Sequence, residues 1–506
     1  MKVNQLKAGV MLTYISEAIS IMSGLIYTPI MLKLLGQSEY GLYQLSASVI
    51  SYLRLLSMGF GASYIRYYAR YKVTNDRESI KKLNGMYMTI YIVIGLMCLA
   101  AGSVLVMNVE NIFKKSLTAD EINTSRILMS FMVLNLAISF PGSVFGSHIT
   151  ANEQYIFQRV VNILRSLLNP CLTLPLLLMG YKSVAMVVVQ TVLSVVGLIT
   201  NWIFAKKKLG MSFSFKNFEM KFLRELFIFS FWIFLNQIID QVNNQVDKFI
   251  LGIYSGTISV AIYGVANQIF SMYISFSTAI SSVFTPRVNK LVMQGNSDEE
   301  LTGMFVKVGR LQFMLLFLAV SGLVIFGQYF ISIWAGEGYS DAYIIALLLI
   351  IPSVIPWIQN LGIEIQRAKN KHQLRSIIYF IMAVINVLVS IPMAKHYGAI
   401  GTAIGTTISI ILCNGIAMNI IYQKVIGINV IKFWKSILSF IPGLIAPILA
   451  GVLIMNMIEI NNILMFVLLV LAYILIYCVS IWFLGMNKDE KQLFLGMYNK
   501  ILKRNR

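Results

Sequence analysis

The sequence predicts an all-α polytopic membrane protein with about 14 transmembrane helices, arranged as two six-helix bundles plus a C-terminal helix pair. Three observations carry that expectation. Of the 506 residues, 58% are hydrophobic and only 12% are charged, with a mean hydropathy of +0.75; a soluble chain carries about 25% charged residues. The apolar residues gather into runs of about 20, the length that crosses a hydrocarbon layer as a helix. These runs group as six, then a basic loop, then six, then two.

In chain order, the first six spans are expected at about 9–33, 40–65, 83–107, 124–148, 158–180 and 183–205. The basic loop Lys206 to Glu225 precedes spans at about 226–253, 257–284, 308–333, 342–365, 375–396 and 398–423. Two more follow, at about 436–458 and 462–485, before the basic tail KILKRNR. The expected division is an N-terminal lobe with its cytoplasmic linker at 1–222, a second lobe at 223–427, and an appended pair with the tail at 428–506. The basic-then-apolar start resembles a signal peptide. However, Glu17 interrupts the run, the apolar stretch continues to Leu35, and no small-residue cleavage site follows, so it is read as the first span.

Chemistry of other classes finds little support. Cys98, Cys171, Cys413 and Cys478 all lie in apolar runs and suit reduced packing residues. His148, His372 and His396 are scattered without metal-ligand spacing. No phosphate-binding loop or catalytic domain is visible, so neither an enzyme nor direct use of ATP is expected, and no metal or cofactor. The net charge of +20 raises nucleic acid as a partner, and the distribution of charge decides against it. With both termini cytoplasmic, 33 of the 41 Lys and Arg residues fall in the termini, the cytoplasmic loops or the span ends on that side. Six lie on the opposite side, and Arg54 and Lys248 lie within spans. That asymmetry is the positive-inside pattern, leaving membrane lipids as the partner of the surplus charge.

Polar residues inside the spans mark the candidate site. In Leu226 to Gly252, Gln237, Asp240, Gln241, Asn244, Asp247 and Lys248 recur at i, i+3, i+4, i+7, i+10 and i+11 and so share one helical stripe. Lipid cannot face that stripe, because unpaired carboxylates and amides in hydrocarbon are costly. Either a water-filled cavity or a polar helix interface must face it, and Asp247 with Lys248 reads equally as an outer-interface pair. Glu17 and Arg54 stand near mid-depth in spans one and two. They read as a cavity site, with Arg54 holding an anionic headgroup and Glu17 balancing charge, or as an ion pair tying two helices. Asp240 and Asp247 join Glu17 as carboxylates for coupling to a proton or sodium gradient.

The eighth span adds a second stripe with Tyr263, Asn267, Ser271, Thr278, Ser281 and Ser282, a pattern shared by ligand sites and helix packing. Pro352 and Pro356 predict a kink in the tenth span, and Glu364 beside Arg367 reads as an interface residue. Arg66, Arg70 and Arg287 end spans two and eight at the cytoplasmic mouth, as collectors of a diphosphate or as topogenic charges. Gly59 and Gly61 permit close helix approach.

A weak internal repeat is visible. Leu35-Gly36 followed by Tyr40-Gly41-Leu42-Tyr43 is echoed by Leu251-Gly252 followed by Ala261-Ile262-Tyr263-Gly264. With the six-plus-six grouping, this fits a transporter built from two related bundles around a midplane site. The segment TPIMLKLLGQSEYGLYQLSASVISYLRLLSMGFGASYIRYYA resembles the opening of the polysaccharide-biosynthesis, O-antigen-type oligosaccharide flippases. Its marks are Leu35-Gly36, Glu39-Tyr40-Gly41 and Met58-Gly59. The segment QVDKFILGIYSGTISVAIYGVANQI is similar to the same family's seventh-to-eighth helix junction, with Asp247, Leu251-Gly252 and Tyr263 as marks.

The resemblance implies membership of the multidrug/oligosaccharidyl-lipid/polysaccharide exporter superfamily. It implies a two-lobed transporter that moves an undecaprenyl-diphosphate-linked oligosaccharide from the inner to the outer leaflet of the bacterial cytoplasmic membrane. A glycan polymerase and other polysaccharide-assembly proteins are then expected partners. Such a cargo needs cations for its diphosphate, hydroxyl partners for its sugars and a lateral opening for its lipid. Arg54, Gln237, Asp240, Gln241, Asn244, Lys248, Tyr263 and Asn267 are the candidates by depth and face. An ion gradient is a sufficient driving force, since one charge moved through about 100 mV is worth about 2.3 kcal/mol. The rival readings are a cation-coupled multidrug exporter, a lipid II flippase and a membrane scaffold without transport.

Overall fold

The computed structural model of the chain describes residues 5–216, 220–295, 297–460 and 462–504, and among these it contains helices and turns but no β-strand. Eleven helices among the described residues are long and apolar enough to cross a membrane. A twelfth follows if the pair Val430–Leu438 and Ile441–Met457, bent by 46°, is one span. This is fewer than the sequence count, for a local reason. Expected spans one and two share the continuous stretch Ile15–Val73, and expected spans eleven and twelve share His372–Ile426. Within each stretch the two expected spans meet at one glycine, Gly36 (φ 76°) or Gly398 (φ 56°). Glycine takes such backbone angles without a Cβ clash, so one residue replaces a loop.

The chain divides into two compact units, Met1–Val265 with Ala383–Gly405, and Ala266–Met382 with Thr406–Arg506. The first unit holds α1 (Gln5–Ser51), α2 (Phe60–Val73), α3 (Arg77–Met107), α4 (Val109–Phe113), α5 (Ala119–Ala151), α6 (Tyr155–Leu178), α7 (Lys182–Lys207) and α8 (Met220–Tyr254). It also takes the start of α9 (Gly256–Met293). Helix starts follow local chemistry. Asp76 caps α3 by accepting the Ser79 N–H at 3.0 Å, and the Ser79 hydroxyl and N–H together hold its carboxyl below the usual carboxylate range. Thr118 and Glu121 close a reciprocal capping box on α5.

Within this unit α3 packs on α5, α5 on α7, and α1 on α6 and α8. Small residues bring the backbones together: Gly95 meets the Ala137 carbonyl and Gly102 meets Val133. The linker after α7 lies against α3, with the Ser214 N–H donating to the Lys81 carbonyl at 3.0 Å. The Asn84 amide donates to the Ser212 carbonyl at 2.8 Å. Asn84 also accepts from the Tyr64 hydroxyl at 2.6 Å, so this buried carboxamide has both its oxygen and its nitrogen paired.

The second unit contains the rest of α9, α10 (Asp298–Trp334), α11 (Asp341–Ile358), α12 (Leu361–Ala368) and the ends of α13 (His372–Ile410). It continues through α14 (Met418–Ile421), α15 (Val430–Leu438), α16 (Ile441–Met457), α17 (Ile463–Ser480) and α18 (Lys488–Arg504). The two expected tenth-span prolines both fall inside α11, which ends at Ile358 before the turn at Gln359 and Asn360. The C-terminal helices are pinned to α10 by Arg310, which bonds Glu490 at 2.6 and 2.9 Å, the Gly485 carbonyl at 3.0 Å and Ser439 at 2.7 Å. Its guanidinium also stacks 4.1 Å from the Phe440 ring centre.

Candidate functional site

A cavity of about 780 Å³ opens within the first unit, a size typical of small-molecule sites. Four helices line it, each with one face. From α1 come Tyr43, Ala47, Ile50 and Ser51, and the tight turn Tyr52–Ser57 adds Arg54. α5 adds Asn135, Ser139 and Ser143; α6 adds Asn162 and Arg165; α7 adds Gln190, Ser194 and Asn201. Apart from the adjacent pair Ile50 and Ser51, the spacings within each set are three, four, seven, eight or eleven residues, the repeat of one helical face.

The backbone at Arg54 is unusual. The α-helix gives way to a 3-10 turn over Tyr52–Ser57, and the chain then passes through left-handed Met58 (φ 46°) and Gly59 (φ 69°) before α2 begins. A left-handed methionine costs about 1 kcal/mol. The break sets Arg54 on a turn between two helices and not on a continuous span. Arg165 projects from the middle of α6, and its guanidinium donates to the Ser194 hydroxyl at 2.6 Å. The two arginines therefore line one cavity, and no Asp or Glu is among its lining residues. Electrostatically this is an anion site with a neutral polar wall.

Other sequence candidates fall elsewhere. Gln241 donates to the hydroxyl of Ser51, a lining residue, and so joins α8 to the cavity wall. Asp240 and Asn244 are exposed, with the Asn244 amide turned back to the Asp240 carbonyl at 2.7 Å. Gln237 is half-buried, and its side-chain oxygen has no hydrogen-bond partner. Asp247 and Lys248 are buried, at 4% and 7% exposure. The Tyr263 hydroxyl donates to Asp247 at 2.6 Å, and Lys248 donates to Gln44 at 3.0 Å. The predicted stripe on α8 thus divides into an exposed part and a buried, helix-joining part.

Glu17 is exposed on α1 and is not among the lining residues. Arg66 and Arg70 are exposed on α2. Asn267 and Arg287 lie on the part of α9 that belongs to the second unit. Arg54 is the one sequence candidate that lines the cavity directly.

Sequence reasoning missed Arg165, which it grouped with cations at span ends, and the amides of α5, α6 and α7. The signal was present. Arg165 is the eighth residue of the expected span 158–180, and Asn162 precedes it by three. Gln190, Ser194 and Asn201 keep a helical register. The stripe test applied to the seventh and eighth spans would have found them in the fourth to sixth.

The sequence profile of the polysaccharide biosynthesis protein family matches residues 6–292. The chain is 24% identical to the membrane protein EpsK of Bacillus subtilis over 504 residues, 94% of each chain. It is 21% identical over 392 residues to a Shigella flexneri protein described as a proposed O-antigen transporter, covering 75% of this chain and 88% of that one. Its fold matches the solved structure of the lipid II flippase MurJ in an inward closed conformation, with TM-score 0.73 at 14% identity, over 93% of this chain and 97% of that one. The family resemblance read from the sequence is borne out: this multi-pass membrane chain belongs to the polysaccharide biosynthesis protein family.

Proposed function

We propose that the chain is a flippase that moves undecaprenyl-diphosphate-linked oligosaccharide repeat units across the cytoplasmic membrane for surface polysaccharide synthesis. The cavity carries the proposal: two guanidiniums, a wall of amides and hydroxyls, and no carboxylate among its lining residues. Arginine forks match phosphate oxygens, and carboxamides offer donors and acceptors together to sugar hydroxyls. Transport needs no cofactor or bound nucleotide in this reading. It runs by alternating access on a proton or sodium gradient, with Asp240 the first carboxylate to test for coupling and a glycan polymerase downstream.

We extend the proposal to topology. Counting the glycine-broken stretches Ile15–Val73 and His372–Ile426 twice, and the bent pair once, supports fourteen crossings with both termini cytoplasmic. On that plan 1–222 and 223–427 form the two six-helix lobes, and 428–506 the appended pair.

A multidrug exporter for cations would want acidic groups where this cavity has Arg54 and Arg165. A lipid II flippase would share the diphosphate chemistry, and deletion of the gene separates it from the present reading. Accumulation of undecaprenyl-linked repeat units with loss of surface glycan is expected in viable cells. Arrested cell-wall synthesis with normal surface glycan would point to lipid II, and unchanged glycan with raised sensitivity to cationic dyes to drug export. A scaffold would tolerate Arg54→Ala without loss of surface glycan.

A further inference from the structure

Four carboxamides, Asn135, Asn162, Gln190 and Asn201, line the cavity alongside Arg54 and Arg165. None of the four side chains has a hydrogen-bond partner among the described residues, in contrast to the neighbouring hydroxyls. Ser139, Ser143 and Ser194 donate to backbone carbonyls of their own helices at 2.7 to 3.0 Å. The hydroxyls are therefore satisfied locally, and the carboxamides are left to whatever fills the cavity. Carboxamides at membrane depth need such a partner, because hydrocarbon supplies none.

Charge sets the second constraint. A diphosphate joined to lipid on one side and sugar on the other carries two negative charges, and the two guanidiniums match them. The four carboxamides add donors and acceptors but no charge, and no third cation lines the cavity. A carboxylate on the sugar next to the diphosphate would stand among neutral amides as a third anion without a counter-ion, an arrangement that costs binding. Hydroxyl and acetamido groups would be satisfied there by the same amides.

We infer that Asn135, Asn162, Gln190 and Asn201 form a subsite that selects an uncharged sugar at the position next to the diphosphate. This deepens the flippase reading and rests on it.

The test is equilibrium binding to the full-length protein in lipid nanodiscs with three probes: polyprenyl diphosphate, the same lipid bearing N-acetylglucosamine, and the same lipid bearing glucuronic acid. The wild type should bind the N-acetylglucosamine compound most tightly and the glucuronic acid compound about tenfold more weakly or worse, the scale of one uncompensated interaction. In Asn162→Ala with Gln190→Ala, affinity for the N-acetylglucosamine compound should fall to that of bare polyprenyl diphosphate, while affinity for the bare lipid stays unchanged. Equal binding of the neutral and acidic sugars by the wild type, with the bare lipid still bound, would overturn the subsite and leave the flippase reading standing. Binding of none of the three would overturn both. The wild-type comparison decides the matter even if the double variant fails to fold.

Discussion

Arg165 is held by one hydrogen bond, to Ser194 at 2.6 Å, and Arg54 by the turn on which it stands. Among the described residues neither has an ion-pair partner, so their charge is directed at the cavity contents. Arg54→Ala and Arg165→Ala should each weaken binding of polyprenyl diphosphate by about 2 kcal/mol or more, and Arg54→Lys should lose less. Titration of that lipid against each purified variant reads this out, and wild-type affinity in both alanine variants would remove the arginines from the site. Gln366 presents the opposite case. It is fully buried on α12, and neither atom of its carboxamide has a partner. Gln366→Met should stabilise the protein by about 1–3 kcal/mol, the desolvation cost it removes, visible as a raised thermal midpoint in detergent; a lowered midpoint would refute the assignment. Legibility differed between these residues for a plain reason. A cation in mid-span, as at Arg54, stands out in sequence. Arg165 sits close enough to an expected span start to pass for a topogenic charge, and burial of Gln366 depends on contacts that no local pattern encodes.

The repeat motifs gain a meaning once the helices pack. Gly41 abuts the Thr257 carbonyl, Gly252 abuts Leu45, and Gly264 abuts Tyr40 and Gln44. The Tyr40-Gly41 mark of the first segment and the Leu251-Gly252 and Tyr263-Gly264 marks of the second therefore lie in the contact of α1 with α8 and the start of α9, whereas Gly36 serves the break in α1 and touches neither. A Cβ on Gly41 would overlap backbone, which cannot yield as a side chain does. Gly41→Ala should destabilise by about 1–3 kcal/mol, measurable as a lower thermal midpoint; an unchanged midpoint would mean the contact is loose. Sequence placed glycines and aromatics in these segments but not which glycine meets which partner, since that depends on chain-distant packing. The same holds for the stripe on α8. Its periodicity was legible, but Asp247 and Lys248 are consumed by Tyr263 and Gln44, partners on other helices. At the other end of the chain, Arg310 and Glu490 are 4% and 3% exposed at the side chain. Removing one partner strands a buried charge, so Glu490→Ala should cost about 3–5 kcal/mol and release the C-terminal helices to limited proteolysis. Resistance equal to wild type would contradict this.

Across the whole molecule, hydropathy alone located the membrane-length helices, because crossing hydrocarbon demands about 20 apolar residues and few other constraints produce them. What it misjudged was how spans join. Gly36 and Gly398 let successive spans run on through one residue, and a hydropathy profile cannot distinguish that from a short loop. The cavity was half legible for a similar reason: its cations and amides are in the sequence, but four helices must pack before they converge. The functional account rests on that convergence of Arg54, Arg165 and neutral polar groups for a lipid-linked diphosphate sugar. Its most direct test is transfer of a fluorescent undecaprenyl-diphosphate oligosaccharide between leaflets of proteoliposomes holding the purified protein under an imposed proton or sodium gradient. The account predicts transfer by the wild type and its loss in Arg54→Ala reconstituted at the same density. Transfer by Arg54→Ala at the wild-type rate, or none by the wild type under either gradient, would contradict it.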